Sequence, residues 1–191
     1  MARPRLFDSD VVLGQASESF REKGFDGTSI EDLEKATGLR RASLYGAFGD
    51  KKALYLAALK SYQGKQGVGM LETLNAAKTG RGAIERLFQI IMDEAAGDPG
   101  GCLLANAASE RSAHDAGVAR CVEDNRRRVE GALLAAVLRG RADGSVKERG
   151  DARASARFLF AATLGIRALG RMGCGRTELR PVAHEALRTL D

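Results

Sequence analysis

The chain of 191 residues is 44% hydrophobic but only 5% aromatic, lacks tryptophan and carries a net charge of +5, enough length for one or two small domains with a real core. Its start is polar and basic with no apolar run behind it, no stretch approaches the roughly 20 apolar residues of a membrane span, and three widely spaced cysteines do not make a disulfide framework. A cytoplasmic protein without a membrane partner is expected, and the positive charge permits nucleic-acid binding without establishing it.

Alanine, leucine, arginine and glutamate are abundant, which suits helices although the 23 glycines do not, and the pattern predicts an all-α chain. Met1 to Arg5 is a short arm with cations at Arg3 and Arg5 around a proline. Two readings stand open for it: a frayed terminus, or an arm that meets phosphate or the minor groove. Asp8 is the expected N-cap of a first helix, with Phe7 and Val12 as its hydrophobic staple. Leu13, Ala16 and Phe20 form the inward stripe, and Gly24 is the expected stop. This helix is expected to brace the next two helices rather than touch bases.

Ser29 to Leu54, reading SIEDLEKATGLRRASLYGAFGDKKAL, organises the chain. Ser29 is an N-cap, with Asp32 three residues on to complement the exposed amides. Ile30, Leu33 and Ala36 share a helical face. Gly38 takes the backbone angles that end this helix, and Leu39 returns to the core. A second short helix runs from Arg41 to Phe48 with Leu44 and Phe48 inward. Gly49 breaks it and Asp50 caps the next. This is a helix-turn-helix with a long helix attached. Its second helix presents Arg40, Arg41, Ala42 and Ser43 at the end that reaches base edges in the major groove. Residues 35–60 hold six cations against one anion. A lone basic run is usually a solvated face, but here it coincides with a correctly spaced helix-turn-helix, which favours DNA.

The stretch GFDGTSIEDLEKATGLRRASLYGAFGDKKAL, with its LYxxFxxK core (Leu44, Tyr45, Phe48, Lys51), resembles the DNA-binding domain of the TetR family of bacterial transcriptional regulators. With RPRxFD ahead of it and SLYxAFGDK within it, it is similar to the ComR-type repressors. The resemblance implies an N-terminal three-helix DNA-binding domain, residues 1–62, and a C-terminal helical ligand-binding and dimerising domain, residues 63–191. It implies base or near-base contacts by Arg41 and Ser43: arginine can donate two hydrogen bonds to guanine, and serine is adaptable. Ala42 lets the helix end approach the groove. Tyr45 is expected to place its hydroxyl on a phosphate. Lys51 sits in a first helical turn, where a cation is unfavourable; a phosphate held by the Lys and the free amides explains it. Thr28 and Ser29 are expected to act likewise at the first helix of the motif. Arg40 departs from the family pattern, which usually has Ser or Thr there. Arginine has no acceptor, so a cap is expected to be lost at about 1 kcal/mol, and a phosphate contact would offset it.

The long helix continues with Leu54, Ala58, Leu59 and Tyr62, and the three glycines between Gly64 and Gly69 predict a kink or fraying. After a break at Thr79 to Gly82, Ile84, Leu87, Phe88, Ile91, Met92 and Ala95 follow helical spacing without a gap. Gly97 to Gly101 is a turn. Short and long helices are expected over Cys102–Ser112 and Asp115–Arg141. Arg126, Arg127 and Arg128 cannot share one face, so they read as solvated or ion-paired. A further helix spans Ala152–Met172, with Ser155, Leu159, Ala162, Ile166 and Leu169 on one side, and a last one starts near Thr177. The resemblance places a homodimer interface on this pair, through Leu159, Ala162, Ile166, Leu169, Val182, Ala183, Ala186 and Leu187.

The resemblance also implies a small-molecule effector. Tyr62, Phe88, Met92, Leu103, Asn106, Leu133 and Phe158 are the candidate lining, although plain core packing is the favoured reading for each. The expected function is that of a ligand-responsive, sequence-specific DNA-binding regulator, a repressor. One rival is a thiol-based sensor through Cys102, which opens a helix; the simpler reading of Cys102 is a small buried hydrophobe. The other rival is an all-helical enzyme that carries a helix-turn-helix. His114 and His184 have no Cys or carboxylate at ligand spacing, and there is no nucleophile motif or phosphate loop. Neither a metal, a cofactor nor catalysis is expected.

Overall fold

A computed structural model describes residues 7–98, 100–147 and 150–191. Among them lie nine helices and no strand: α1 (Ser9–Gly27), α2 (Ile30–Thr37), α3 (Arg41–Phe48), α4 (Lys51–Ala76), α5 (Gly80–Gly97), α6 (Leu103–Glu110), α7 (Ala116–Ala142), α8 (Ala152–Arg171) and α9 (Arg176–Arg188). The all-α expectation is met. No helix of the described residues is long and apolar enough to cross a membrane.

The helices gather into two compact units. The first holds the described residues up to Lys65 together with Cys102–Val122. Its core joins Val12, Ala16 and Phe20 of α1, Leu33 and Leu44 of the helix-turn-helix, and Leu54, Tyr55, Ala58 and Leu59 of α4 to Leu103, Leu104 and Ala107 of α6 and Val118 of α7. Phe20 and Tyr55 meet edge to face at 4.9 Å, a geometry the ring quadrupoles favour. Asp8 caps α1, accepting from the Asp10 N–H. At Gly24 (φ 73°) α1 kinks and adds one further turn to Gly27 instead of ending there.

The second unit holds Gln66–Gly101 and Glu123–Asp191. The gapless apolar face of α5 packs between α8 and α9. Two expectations are corrected in this unit. The glycine-rich part of α4 does not fray, and the helix runs to Ala76. At Gly67 the Arg128 guanidinium lies against the α4 backbone where a side chain would otherwise stand, so Gly67 serves close packing rather than a break. The buried face of α8 is Ala152, Ala156, Leu159, Thr163, Ile166 and Gly170, rotated from the line through Ser155, Ala162 and Leu169. Thr163 is tolerated in the core because its hydroxyl donates to the Phe160 carbonyl at 2.7 Å, which removes the cost of an unpaired polar group. The arginine triplet is ion-paired in part: Arg126 bridges Glu123 (2.7 Å) and Glu130 (2.8 Å), and Arg127 joins Glu123 (2.7 Å).

Candidate nucleic-acid interface

Helix α2 begins with a full capping box. The Ser29 hydroxyl accepts from the Asp32 N–H (3.0 Å), and the Asp32 carboxylate accepts from the Ser29 N–H (2.9 Å). Asp32 also takes a 2.5 Å bond from Lys23. That ammonium first, then the Ser29 donors, hold its carboxyl well below the ordinary range. Thr28 is fully buried, and its hydroxyl donates to the Gly24 (2.6 Å) and Ser19 (3.2 Å) carbonyls of α1. The Thr28 side chain thus closes α1 and is not available to a phosphate. Ser29 remains exposed.

Gly38 ends α2 in the left-handed region (φ 68°), and its N–H donates to the Glu34 carbonyl at 2.9 Å. Glycine adopts that conformation without a Cβ penalty. The chain then enters α3 through Arg40, whose side chain makes no cap bond. The expected loss of a cap is nevertheless corrected. The Glu34 side chain, reaching from the last turn of α2, accepts from the Arg41 N–H at 2.7 Å. A carboxylate from the neighbouring helix serves the open end of the recognition helix, where negative charge also suits the dipole.

Arg41, Ala42 and Ser43 succeed one another as exposed residues at the start of α3. Leu44, buried completely, anchors the helix beneath them. The Arg41 guanidinium stands 5.4 Å from the Tyr45 ring centroid, and Tyr45 is half-buried. Asp50 caps α4, accepting from the Ala53 N–H at 2.7 Å. The half-buried Lys51 rests its ammonium over the Phe25 ring at 4.6 Å, and Arg111 at the end of α6 lies over the same ring at 4.5 Å. Lys51 therefore has a cation–π partner already. Lys52 pairs with buried Asp115 at 2.9 Å. That ammonium, followed by the Val118 and Gly117 N–H groups, lowers the Asp115 carboxyl against the opposing effect of burial. Arg3 and Arg5 lie outside the described residues.

Sequence reasoning missed Glu34, Phe25 and Arg111. A signal for Glu34 existed: a helix whose N-cap residue offers no acceptor, preceded across a tight turn by a carboxylate in the last turn of α2. No local signal marks Arg111.

The remaining candidates fall in different places. Tyr62, Leu103 and Asn106 belong to the first unit, where the Asn106 amide donates to the Arg21 carbonyl at 3.2 Å. Phe88, Met92 and Leu133 are core residues of the second unit. Phe158 is 49% exposed on α8. Of the expected interface residues, Leu159, Ile166, Ala183 and Ala186 are buried inside this chain's own core. They offer a partner nothing, while Ala162, Leu169, Val182 and Leu187 are partly buried against that core. Cys102 is the half-buried N-cap residue of α6, Cys121 is buried and Cys174 half-buried. Among the described residues no His, Cys, Asp and Glu gather to hold a metal.

Residues 12–58 match the model of the bacterial regulatory proteins of the tetR family. The HTH-type transcriptional regulator YezE of Bacillus subtilis (strain 168) is 33% identical, with 100% of both chains covered. The HTH-type transcriptional repressor ComR of Escherichia coli (strain K12) is 26% identical over 97% of this chain and 90% of its own. A cysteine mutant of the TetR family transcriptional regulator CifR, solved with 26-base-pair double-strand operator DNA, superposes with a TM-score of 0.87 at 29% identity, covering 99% of this chain and 100% of that one. The chain belongs to the TetR family of bacterial transcriptional regulators, and α2 and α3 are its DNA-binding helix-turn-helix.

Proposed function

We propose that the protein is a homodimeric, effector-responsive repressor that acts on a palindrome-like operator in the cytoplasm. The observation that carries this reading is the exposed run Arg41–Ala42–Ser43 at a recognition-helix tip anchored by buried Leu44. Arg41 and Ser43 read bases. Ser29, Arg40, Tyr45 and Lys51 hold phosphates, Lys51 by leaving Phe25, and Arg3 and Arg5 add contacts beside them. Repression is supported by ComR, itself a repressor. The dimer forms through the outward stripe of α8, where Phe158, Ala161, Gly165, Ala168 and Met172 recur at helical spacing and are all exposed. An effector held by the second unit favours a dimer whose recognition helices no longer match adjacent grooves.

Selection of duplexes from a random pool tests the DNA reading. The expected product has half-sites about 34–36 Å apart, or a multiple of that. Lys51→Ala then weakens all sequences alike and reduces the salt slope by about one. A pool that enriches no sequence contradicts the reading.

A further inference from the structure

The second unit has a cavity of about 330 Å³ between α7 and α8, at the small end of the range for ligand sites. It exists because two positions facing it are small. Gly131 lies mid-helix in α7, where glycine costs about 1 kcal/mol relative to alanine, and a Cβ built there would meet nothing within 4 Å. Ala156 lies opposite on α8, with Leu134 completing an apolar floor.

The walls have the opposite chemistry. Arg126, Arg127, Arg153 and Arg157 line the cavity against a single carboxylate, Glu130. Glu130 is already engaged, with Arg126 at 2.8 Å and Arg157 at 3.7 Å. Glu123 pairs with Arg126 and Arg127 from outside the lining. Arg153 makes no ion pair among the described residues, and Arg157 is 65% exposed at its long contact. The lining therefore keeps an excess of positive charge at its α8 side, with planar guanidinium groups suited to grip a carboxylate through two parallel bonds.

We propose that the α7–α8 cleft is a binding site for a small organic anion: a carboxylate head between Arg153 and Arg157 and a compact apolar body over Gly131, Ala156 and Leu134. The proposal rests on the effector-responsive reading for its regulatory meaning, but not for the binding itself. The 191-residue chain has no tryptophan, so the fluorescence of salicylate can be followed without an indole background. Saturable salicylate binding is expected, displaced by benzoate but not by benzyl alcohol, and displaced far less well by inorganic phosphate. Arg153→Ala/Arg157→Ala should weaken it at least about tenfold, from the loss of charge-assisted bonds. Gly131→Leu, which fills the cleft from a position where a Cβ meets no other atom, should abolish it while the melting temperature holds or rises. Absent salicylate binding, unchanged binding in both variants, or equal displacement by benzyl alcohol or by phosphate would each overturn the site. A mobility shift with the selected operator separates the two claims: salicylate that binds without releasing DNA supports the site and removes its effector role.

Discussion

Glu34→Ala is the sharpest probe of how the recognition helix is held. The substitution removes the 2.7 Å acceptor at the Arg41 N–H, and Arg40 has no side-chain acceptor to replace it. Loss of a helix cap typically costs about 1 kcal/mol. A protein melt should fall by about that amount. In a dimer the cost recurs at both recognition helices. If each first turn must reform on the operator, binding weakens by up to about 2 kcal/mol, roughly thirtyfold. Fluorescence anisotropy on operator and random duplex measures this, and the loss should be larger on the operator because base-reading Arg41 and Ser43 sit in that first turn. Glu34→Gln keeps an acceptor and should retain most of the affinity. Arg40→Ser placed in the Glu34→Ala background supplies a local cap and should recover part of the loss. An alanine variant with unchanged melt and operator affinity, or a glutamine variant as damaged as the alanine one, would refute the capping argument.

Other contacts yield outcomes of their own. Arg41→Ala should cost about 1–3 kcal/mol at the base it reads and relax specificity there; equal loss on random DNA contradicts base readout. Phe158→Glu should give folded monomers by sedimentation, whereas Leu159→Glu, one residue along but fully buried, should unfold the chain instead. Glu123 has its carboxyl lowered to about 2 by Arg126 and then Arg127. A depressed folded pKa gives stability that is present above the ordinary value of 4.5 and is lost as pH falls towards about 2. Glu123→Gln should therefore flatten acid destabilisation across that window in a pH series of melts, and identical curves would show that the exposed pair contributes nothing measurable.

The helix-turn-helix was legible because its signals are local. Ser29 with Asp32, Gly38 and Gly49 punctuate two eight-residue helices, and α3 spans the expected Arg41 to Phe48. The dense apolar spacing of α5 was equally plain. What escaped depends on contacts distant along the chain. Gly67 reads as a helix breaker until Arg128 is found against it. The face that α8 buries is set by α5 and α9, because its small residues allow more than one rotation about the axis. Glu34 at the Arg41 N–H was marked only by the missing acceptor at Arg40, while Arg111 over Phe25 depends on the placing of α6, which no spacing rule carries.

The joining of Cys102–Val122 to the N-terminal helices bears on how portable the DNA-reading head is. A fragment cut after Tyr62 keeps every residue proposed to meet DNA. It discards Leu103, Leu104, Ala107 and Val118 from the core around Phe20 and Tyr55, together with the Asp115 carboxylate that pairs Lys52. Such a fragment presents a bare apolar wall to water, and it should aggregate or stay molten rather than serve as an interchangeable cassette. Exchange of operator preference between relatives is accordingly easier by rewriting the few residues of the α3 tip than by grafting whole N-terminal segments, since a grafted head arrives without the α6 surface its core was shaped against.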